Sequence, residues 1–283
     1  MIVFKTVRDL QNHLQKQRQQ GRKIGFAPTM GALHNGHISL IESSKKDNEL
    51  TVCSIFVNPA QFNDPKDFEK YPITIEKDIY LLEKAGCDVL FLPSVAEMYP
   101  QKDATAAHYE LDYLESILEG KYRPGHFQGV CVAVKRLLDI VQPHNLYIGQ
   151  KDYQQCMVIK RLTEIMGIAD TTTIVICPTL READGLAMSS RNMRLNEAER
   201  KRATTIFNSL CFIKDNLRQG DLASLVQGAT RMLEAEGFKV DYVAIADAGD
   251  LQPVSTWDGQ QKLVALIAAF NNEVRLIDNM LLN

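Results

Sequence analysis

The sequence predicts an α/β fold: a parallel sheet with helices on both faces, followed by a smaller C-terminal α+β domain. Three observations predict it. Through residue 178, short β-rich apolar runs alternate with helical stretches, the pattern of parallel strands joined by helical crossovers. After Pro178 the order changes to helices followed by strands, as in a separate α+β unit. With 283 residues, 45% hydrophobic and 24% charged, the chain has an ordinary globular composition and enough length to bury a core without disulfide or metal staples.

Each element has its own signal. Ile24 to Ala27 is a short apolar run that Pro28 ends, and Ile38 to Lys46 reads as a helix start. Leu50 to Val57 is β-rich and stops at Asn58-Pro59. Ile75 to Ala85 is helical, with Gly86 placed as a C-terminal glycine. Asp88 to Leu92 is a strand closed by Pro93, and Val130 to Val141 is a helix with an apolar face. Leu146 to Ile148 is a short strand, followed by a helix from Asp152 to Met166 and a strand from Thr172 to Cys177. Arg181 to Asn192 is polar, with little periodic apolar signal. Helices over Glu197 to Leu217 and Leu222 to Glu236 follow, then strands over Val240 to Ala246, Leu263 to Phe270 and Val274 to Ile277. The division expected is 1–178, a Rossmann-like domain, and 179–283, a smaller α+β domain.

Composition narrows the function. Lys and Arg total 32 against 35 for Asp and Glu, a net charge of −3 that argues against a dedicated nucleic-acid binder. None of the six cysteines lies within four residues of another, so no zinc-knuckle spacing exists. Cys53, Cys131, Cys156 and Cys177 read as small buried hydrophobes. The first residues, Met-Ile-Val-Phe-Lys-Thr-Val-Arg, place charges where a signal peptide needs an apolar run. The longest apolar run, Leu263 to Phe270, is too short to span a bilayer. A reducing cytoplasm is the simplest expectation.

The segment Pro28 to His37 follows the first of these strands and leads into a helix. Ligands of open α/β sheets sit at the carboxyl ends of strands, and a helix N-terminus there offers unpaired N–H groups to phosphate. Gly31 and Gly36 leave space for close backbone approach. His34 and His37 stand three residues apart, so both can face one anion and stabilise charge on a phosphoryl group. An isolated His-x-Gly-His also occurs by chance, mostly as exposed polar residues. Neither Gly-x-Gly-x-x-Gly nor a Gly-x-x-x-x-Gly-Lys-Ser/Thr motif occurs elsewhere.

Five collinear blocks carry a family resemblance. They are Pro28 to His37, Ser54 to Phe62, Arg123 to Val130, Gly149 to Gln155 and Asp184 to Asn192. His34-Asn35-Gly36-His37 resembles the nucleotide signature of the adenylyl-transferring superfamily that includes class I aminoacyl-tRNA synthetases. Together the five blocks resemble the pantoate–β-alanine ligase family. The C-terminal third is similar more loosely, apart from Arg275 to Asn279. Two positions depart from the pattern: Ile73 stands where a basic residue is expected, and Met188 where leucine is usual.

The resemblance implies a reaction in two steps. Pantoate carboxylate attacks the α-phosphate of ATP, giving pantoyl adenylate and pyrophosphate. The β-alanine amine then displaces AMP. It implies catalytic roles for His37, His34, Lys151, Ser189, Ser190 and Arg191. Nucleotide contacts would come from Met30, Gly31, His34, Gly36, His37, Gly149, Gln150, Lys151, Asp152, Leu180, Met188, Ser189, Ser190 and Arg191. Lys151 would hold the triphosphate as a point charge, and Asp152 would accept from ribose hydroxyls. Gln155, four residues after Lys151, would share its helix face. Gln61 and Gln155 would hold pantoate, with Asn58, Met30 and Tyr71 completing that pocket. Met188 to Arg191 would close over the outer phosphates, two hydroxyls and a guanidinium fork suiting their oxygens. His126 is left structural, starting a helix or ordering a loop. Mg²⁺ would arrive mainly on ATP, with Asp78 as the one candidate protein ligand. The family also implies a homodimer. The partners expected are the small molecules ATP, pantoate and β-alanine, with no nucleic acid and no membrane. Two other readings compete: a related nucleotidyltransferase that stops after the first step, and an RNA-binding relative of tRNA synthetases.

Overall fold

The computed structural model of the chain describes residues 1–62, 68–100 and 107–283. These fall into two compact units, Met1–Gly149 with Gln155–Pro178, and Gln150–Gln154 with Thr179–Asn283.

The first unit is built on six strands: β1 (Ile2–Phe4), β2 (Ile24–Thr29), β3 (Leu50–Ile55), β4 (Val89–Phe91), β5 (Asn145–Gly149) and β6 (Thr173–Cys177). They form one sheet in the order β1-β4-β3-β2-β5-β6. Every pairing is parallel. The helices flanking the sheet include α1 (Val7–Gln19), α2 (Asn35–Asp47), α3 (Ile75–Lys84), α4 (Val95–Met98), α5 (Leu118–Tyr122), α6 (His126–Val141) and α7 (Tyr153–Ile165). From β2 the chain winds outward through β3 to β4, then returns to β5 on the other side of β2. The carboxyl ends of β2 and β5 therefore flank a topological switch point, where open α/β sheets bind ligands.

Pro28 does not end β2, which continues to Thr29. Proline lacks an N–H, so it is tolerated only where no ladder bond is needed. Gly25, Ala27 and Thr29 pair toward β3, and the Thr29 carbonyl accepts from Phe56 N–H. Pro28 faces the β5 side, where pairing covers only Gly25 and Phe26. The missing donor is lost where no partner strand remains.

Helix α2 is fixed at both ends. Leu40 and Ile41 pack with Ala27, Cys53 and Leu90 of the sheet. At its C-terminal end, the Tyr147 hydroxyl donates to Asp47 and accepts from Asn48 Nδ2, at 3.0 and 2.8 Å. Burial and that carboxylate push the Tyr147 phenol up to about 12. Helix α1 is anchored by the Arg18 guanidinium, which donates to the Val141 and Gln142 carbonyls at the end of α6.

The second unit contains helices α8 (Glu197–Asp215) and α9 (Ala223–Ala235) and an antiparallel sheet. Besides a short pair β7 (Gly220–Asp221) and β9 (Thr256–Trp257), its strands are β8 (Lys239–Asp247), β10 (Leu263–Asn271) and β11 (Val274–Leu281), in the order β11-β10-β8. Ala203, Ile206, Leu210 and Ile213 recur on one face of α8, as a helical period demands. They cluster with Leu263, Ala265, Ile267 and Ala269, alternate residues of β10 on one face of the sheet. Each buried Leu or Ile there contributes roughly 1.5–3 kcal/mol. Among the described residues no helix is long and apolar enough to cross a membrane. Of the cysteines, Cys53, Cys87, Cys131, Cys156 and Cys177 are buried and Cys211 is half-buried, all as free thiols.

Candidate active site

The turn between β2 and α2 is built around one carboxylate. Gly31 and Ala32 both adopt left-handed backbone, with φ of 84° and 50°. Glycine does so freely; alanine does so at a cost and needs outside support. Asp78 of α3 supplies it. Its side chain is fully buried and accepts from Ala32 N–H at 2.9 Å, Leu33 N–H at 2.8 Å and the Thr74 hydroxyl at 3.0 Å. A Cβ on Gly31 would stand 3.1 Å from both Asp78 Oδ2 and Ile55 Cγ2. The structure thus gives Asp78 an anchoring task beside the metal-binding one considered from sequence. Among the described residues, no group of three or more His, Cys, Asp and Glu is placed to hold a metal.

His34 and His37 meet at the entrance of α2, their ring centroids 4.1 Å apart. His34 is the N-cap, and its Nδ1 accepts from Gly36 N–H at 3.1 Å. Nδ1 of His37 accepts from His34 N–H at 3.3 Å. An imidazole that accepts at Nδ1 in its neutral form carries its proton on Nε2. Both rings are therefore set in one tautomer, with an Nε2–H donor.

Of the unpaired N–H groups expected at this helix entrance, most are already taken, and that of Asn35, the first residue of α2, is the exception. Gly31 N–H donates to the Thr29 hydroxyl, Ala32 and Leu33 to Asp78, and His34 and Gly36 to the two imidazoles. Those of His37 and Ile38 bond the His34 carbonyl. Side chains, more than bare backbone, are what this turn can offer an anion.

Gln61 lies in a 3-10 turn, Pro59–Gln61, seated on the first turns of α6. A Cβ on Gly129 would come within 2.1 Å of the Ala60 carbonyl oxygen and 2.7 Å of Gln61 Cα, so only glycine permits this approach. His126, the first residue of α6, bonds the Gln61 carbonyl through Nδ1 at 2.7 Å and Arg123 through Nε2 at 3.0 Å. Both structural tasks considered for it, starting a helix and ordering a loop, are met. The Gln61 amide donates to Met30 Sδ.

Asn58 is buried and its amide is spent inside the protein. It donates to Gly129 O at 2.9 Å and Gln61 Oε1 at 3.3 Å, and accepts from Ala60 N–H and the Tyr99 hydroxyl. Asn58 therefore orients Gln61. Tyr71 is buried and stacks edge-on against Phe62, with 5.7 Å between ring centroids. Ile73, in the position where a basic residue is expected, is 74% exposed.

After β5, a Cβ on Gly149 would meet no atom within 4 Å, which leaves the backbone open to a ligand there. Lys151 stands in a 3-10 turn, Gln150–Asp152, ahead of α7, whereas Gln155 is in the helix proper. Their four-residue spacing thus does not place both on one α-helical face, because the turn advances by three residues. Lys151 Nζ is 3.9 Å from Asp152 Oδ1.

Arg181 opens the polar segment that follows β6, bridging to Ala187, while Met188 N–H bonds the Leu180 carbonyl. Ser189 caps a 3-10 turn, Ser190–Arg194, its hydroxyl accepting from Arg191 N–H at 3.3 Å. Ser190 is buried.

Comparison with known proteins fits this arrangement. The family model described as pantoate–β-alanine ligase matches residues 2–281. The chain belongs to the pantoate–β-alanine ligase family. It is 45% identical to the pantothenate synthetase of Bacteroides thetaiotaomicron, over 99% of this chain and 98% of that one. It is 41% identical to that of Cytophaga hutchinsonii, over 100% and 99%. The crystal structure of pantothenate synthetase from Thermus thermophilus superposes with a TM-score of 0.91 at 40% identity, covering 99% of each chain. Pantoate–β-alanine ligase from Francisella tularensis, complexed with β,γ ATP and β-alanine, gives 0.83 at 38% identity, covering 99% and 97%.

In this family member, Asp278 and Asn279 are the residues to which sequence reasoning gave no role. Asp278 is buried and pairs with Arg181 at 2.6 and 3.1 Å. Burial pushes its carboxyl up, and the Arg181 guanidinium opposes that shift. The signal was present in Arg275 to Asn279: an Asp-Asn pair inside an apolar strand needs partners, since a buried charge without one is costly.

Proposed function

We infer that this chain is an ATP-dependent pantoate–β-alanine ligase. It joins (R)-pantoate to β-alanine as pantothenate, through pantoyl adenylate, with release of AMP and pyrophosphate. The observation that carries this is the match of the ligase family across residues 2–281, with relatives above 40% identity over the full length. The solved relative complexed with β,γ ATP and β-alanine supports the same two ligands here. A nucleotidyltransferase that stops after one step is not favoured by any of these relatives.

In the first step a pantoate carboxylate oxygen bonds to the α-phosphorus and the bond to pyrophosphate breaks. In the second, the β-alanine nitrogen attacks the acyl carbon, AMP leaves with the bonding electrons, and the amine loses its proton. Neither step needs a covalent enzyme intermediate, so the protein acts by positioning reactants and neutralising developing charge. His34 and His37 supply Nε2–H donors to phosphate oxygens, and Lys151 supplies a full charge. Gln61 and Gln155 hold pantoate, beside Met30 and Tyr71. Gly149, Gln150, Asp152, Leu180 and Met188 frame the nucleotide, and Ser189, Ser190 and Arg191 meet its outer phosphates. Mg²⁺ enters on the ATP phosphates, which provide the hard oxygen ligands it takes. The family resemblance supports a homodimer, which light scattering checks as twice the chain mass. The free thiols support a reducing compartment such as the cytoplasm.

Pyrophosphate exchange tests the reading. Label from pyrophosphate should enter ATP when pantoate is present and β-alanine is absent. Exchange that needs β-alanine would overturn the adenylate route, and exchange without pantoate would overturn the substrate. The glutamines give a second check. Gln61→Ala and Gln155→Ala should each raise the pantoate KM, on the order of tenfold or more for lost hydrogen bonds to a charged ligand. Affinity for a non-hydrolysable ATP analogue, measured by calorimetry, should stay within about twofold, since these amides face the acid. A parallel loss of ATP affinity would move them to the nucleotide.

A further inference from the structure

Asn279 lies near the end of β11, opposite Leu266 of β10 and 2% exposed. Its whole amide is directed at the turn that carries Lys151. Nδ2 donates to the Gln150 carbonyl at 2.9 Å and to the Lys151 carbonyl at 2.8 Å. Oδ1 accepts from Gln150 Nε2 at 3.2 Å. One side chain thereby bonds two successive carbonyls and the Gln150 side chain ahead of them, which fixes the peptide plane from which Lys151 projects.

The backbone of Asn279 is held in turn. Its N–H donates to Asp278 Oδ1 at 2.8 Å, and its carbonyl accepts from Arg181 at 3.1 Å. Arg181 is itself locked by the bidentate pair with Asp278, by its bond to the Gly185 carbonyl at 3.0 Å and by its seat 4.8 Å from the Phe207 ring centre. A bidentate guanidinium–carboxylate pair has a fixed planar geometry. Asn279 is thus mounted on a rigid support, as a residue that sets the position of another must be.

We propose that Asn279 is the positioning residue for Lys151, mounted on the Asp278–Arg181 pair. The proposal rests on the reading of Lys151 as the group that meets the nucleotide phosphates. Lysine on a four-carbon stem has many rotamers, so its usefulness to a transition state depends on how firmly its Cα is held. Displacing a catalytic group by about 1 Å costs on the order of 10²-fold in rate.

The test is a double-mutant cycle read by single-turnover formation of pantoyl adenylate. Asn279→Ala should slow adenylation about 10- to 100-fold, lowering kcat while leaving the pantoate KM unchanged. Asn279→Asp keeps the size and the acceptor for Gln150 but presents a carboxylate to two carbonyls. It should be slowed as much as the alanine variant, and it provides the measurement should that variant not fold. In a Lys151→Ala background either substitution should have almost no further effect, because the group it positions is gone. Equal slowing in both backgrounds, or rates within twofold of native, would overturn the proposal. If Lys151→Ala alone adenylates at the native rate, the phosphate reading of Lys151 fails first, and that single variant shows which of the two has failed.

Discussion

Lys151→Ala and His37→Ala are each expected to slow single-turnover adenylation about 10²–10³-fold, the usual cost of removing a donor aimed at charge in a transition state. For Lys151 the fold should be untouched, since its ammonium is partly exposed and its ionic partner, Asp152 at 3.9 Å, is an exposed neighbour. For His37 a second, smaller effect is predicted. Its Nδ1 closes the capping box of α2, so the alanine variant also loses a helix cap, worth about 1 kcal/mol. His37→Asn can restore an acceptor for the cap without supplying the Nε2–H. It should regain thermal stability and remain slow. Rapid-quench measurement of pantoyl adenylate alongside thermal unfolding separates the two effects. A slow His37→Asn with native stability is the expected pair of results; recovery of rate with the cap would reduce His37 to a structural residue.

Asp78→Ala should have the largest effect on stability. It strips the acceptor from two buried N–H groups, Ala32 and Leu33, and from the Thr74 hydroxyl. Each buried donor left unpaired costs about 1–3 kcal/mol, so a total of about 2–5 kcal/mol is expected. For a chain of this size that is a fall in Tm of about 5–15 °C. Adenylation should fall with it, because the left-handed Ala32 backbone loses the support that maintains it. Asp78→Asn, which must aim an NH₂ group at one of these donors, should lie between the two. The alternative task for Asp78, binding Mg²⁺, predicts something else: unchanged Tm, with a higher Mg²⁺ concentration needed for half-maximal rate. Thermal unfolding and a Mg²⁺ titration of both variants decide between them.

The alternation of strand and helix was legible because both periods are written in apolar residues: Leu50 to Ile55 as a β-rich run, Leu210 and Ile213 on one helical stripe. Helix α1 was not, since it buries only Leu10 and Leu14 among glutamines and charges. Pro28 misled because a proline ends a strand only if its missing N–H faces a neighbour, and the sequence does not say which side is paired. The site divides in the same way. His34 and His37 are close in sequence, so their meeting could be read from spacing. Asp78 is more than 40 residues from the backbone it holds, and Asn279 more than 120 from Lys151. Asn58 and Gln61 share a block, but that Asn58 spends its amide on Gly129 and Tyr99 is decided by packing between distant segments.

The turn at Gly31 to Ile38 has a consequence for selectivity against small competitors. A loop of bare N–H groups binds any compact oxyanion, and inorganic phosphate and sulfate would contest it at millimolar levels. Here the backbone donors of Gly31, Ala32, Leu33, His34 and Gly36 already have partners within the protein. A free oxyanion arriving at this turn finds the two imidazoles and the single N–H of Asn35. The turn contributes modestly to the affinity of a larger ligand that is held elsewhere, and discriminates by the need for that other hold. Inhibition by free phosphate should accordingly be weak, and product pyrophosphate, with two phosphoryl groups to spread over several side chains, should be the stronger brake on turnover.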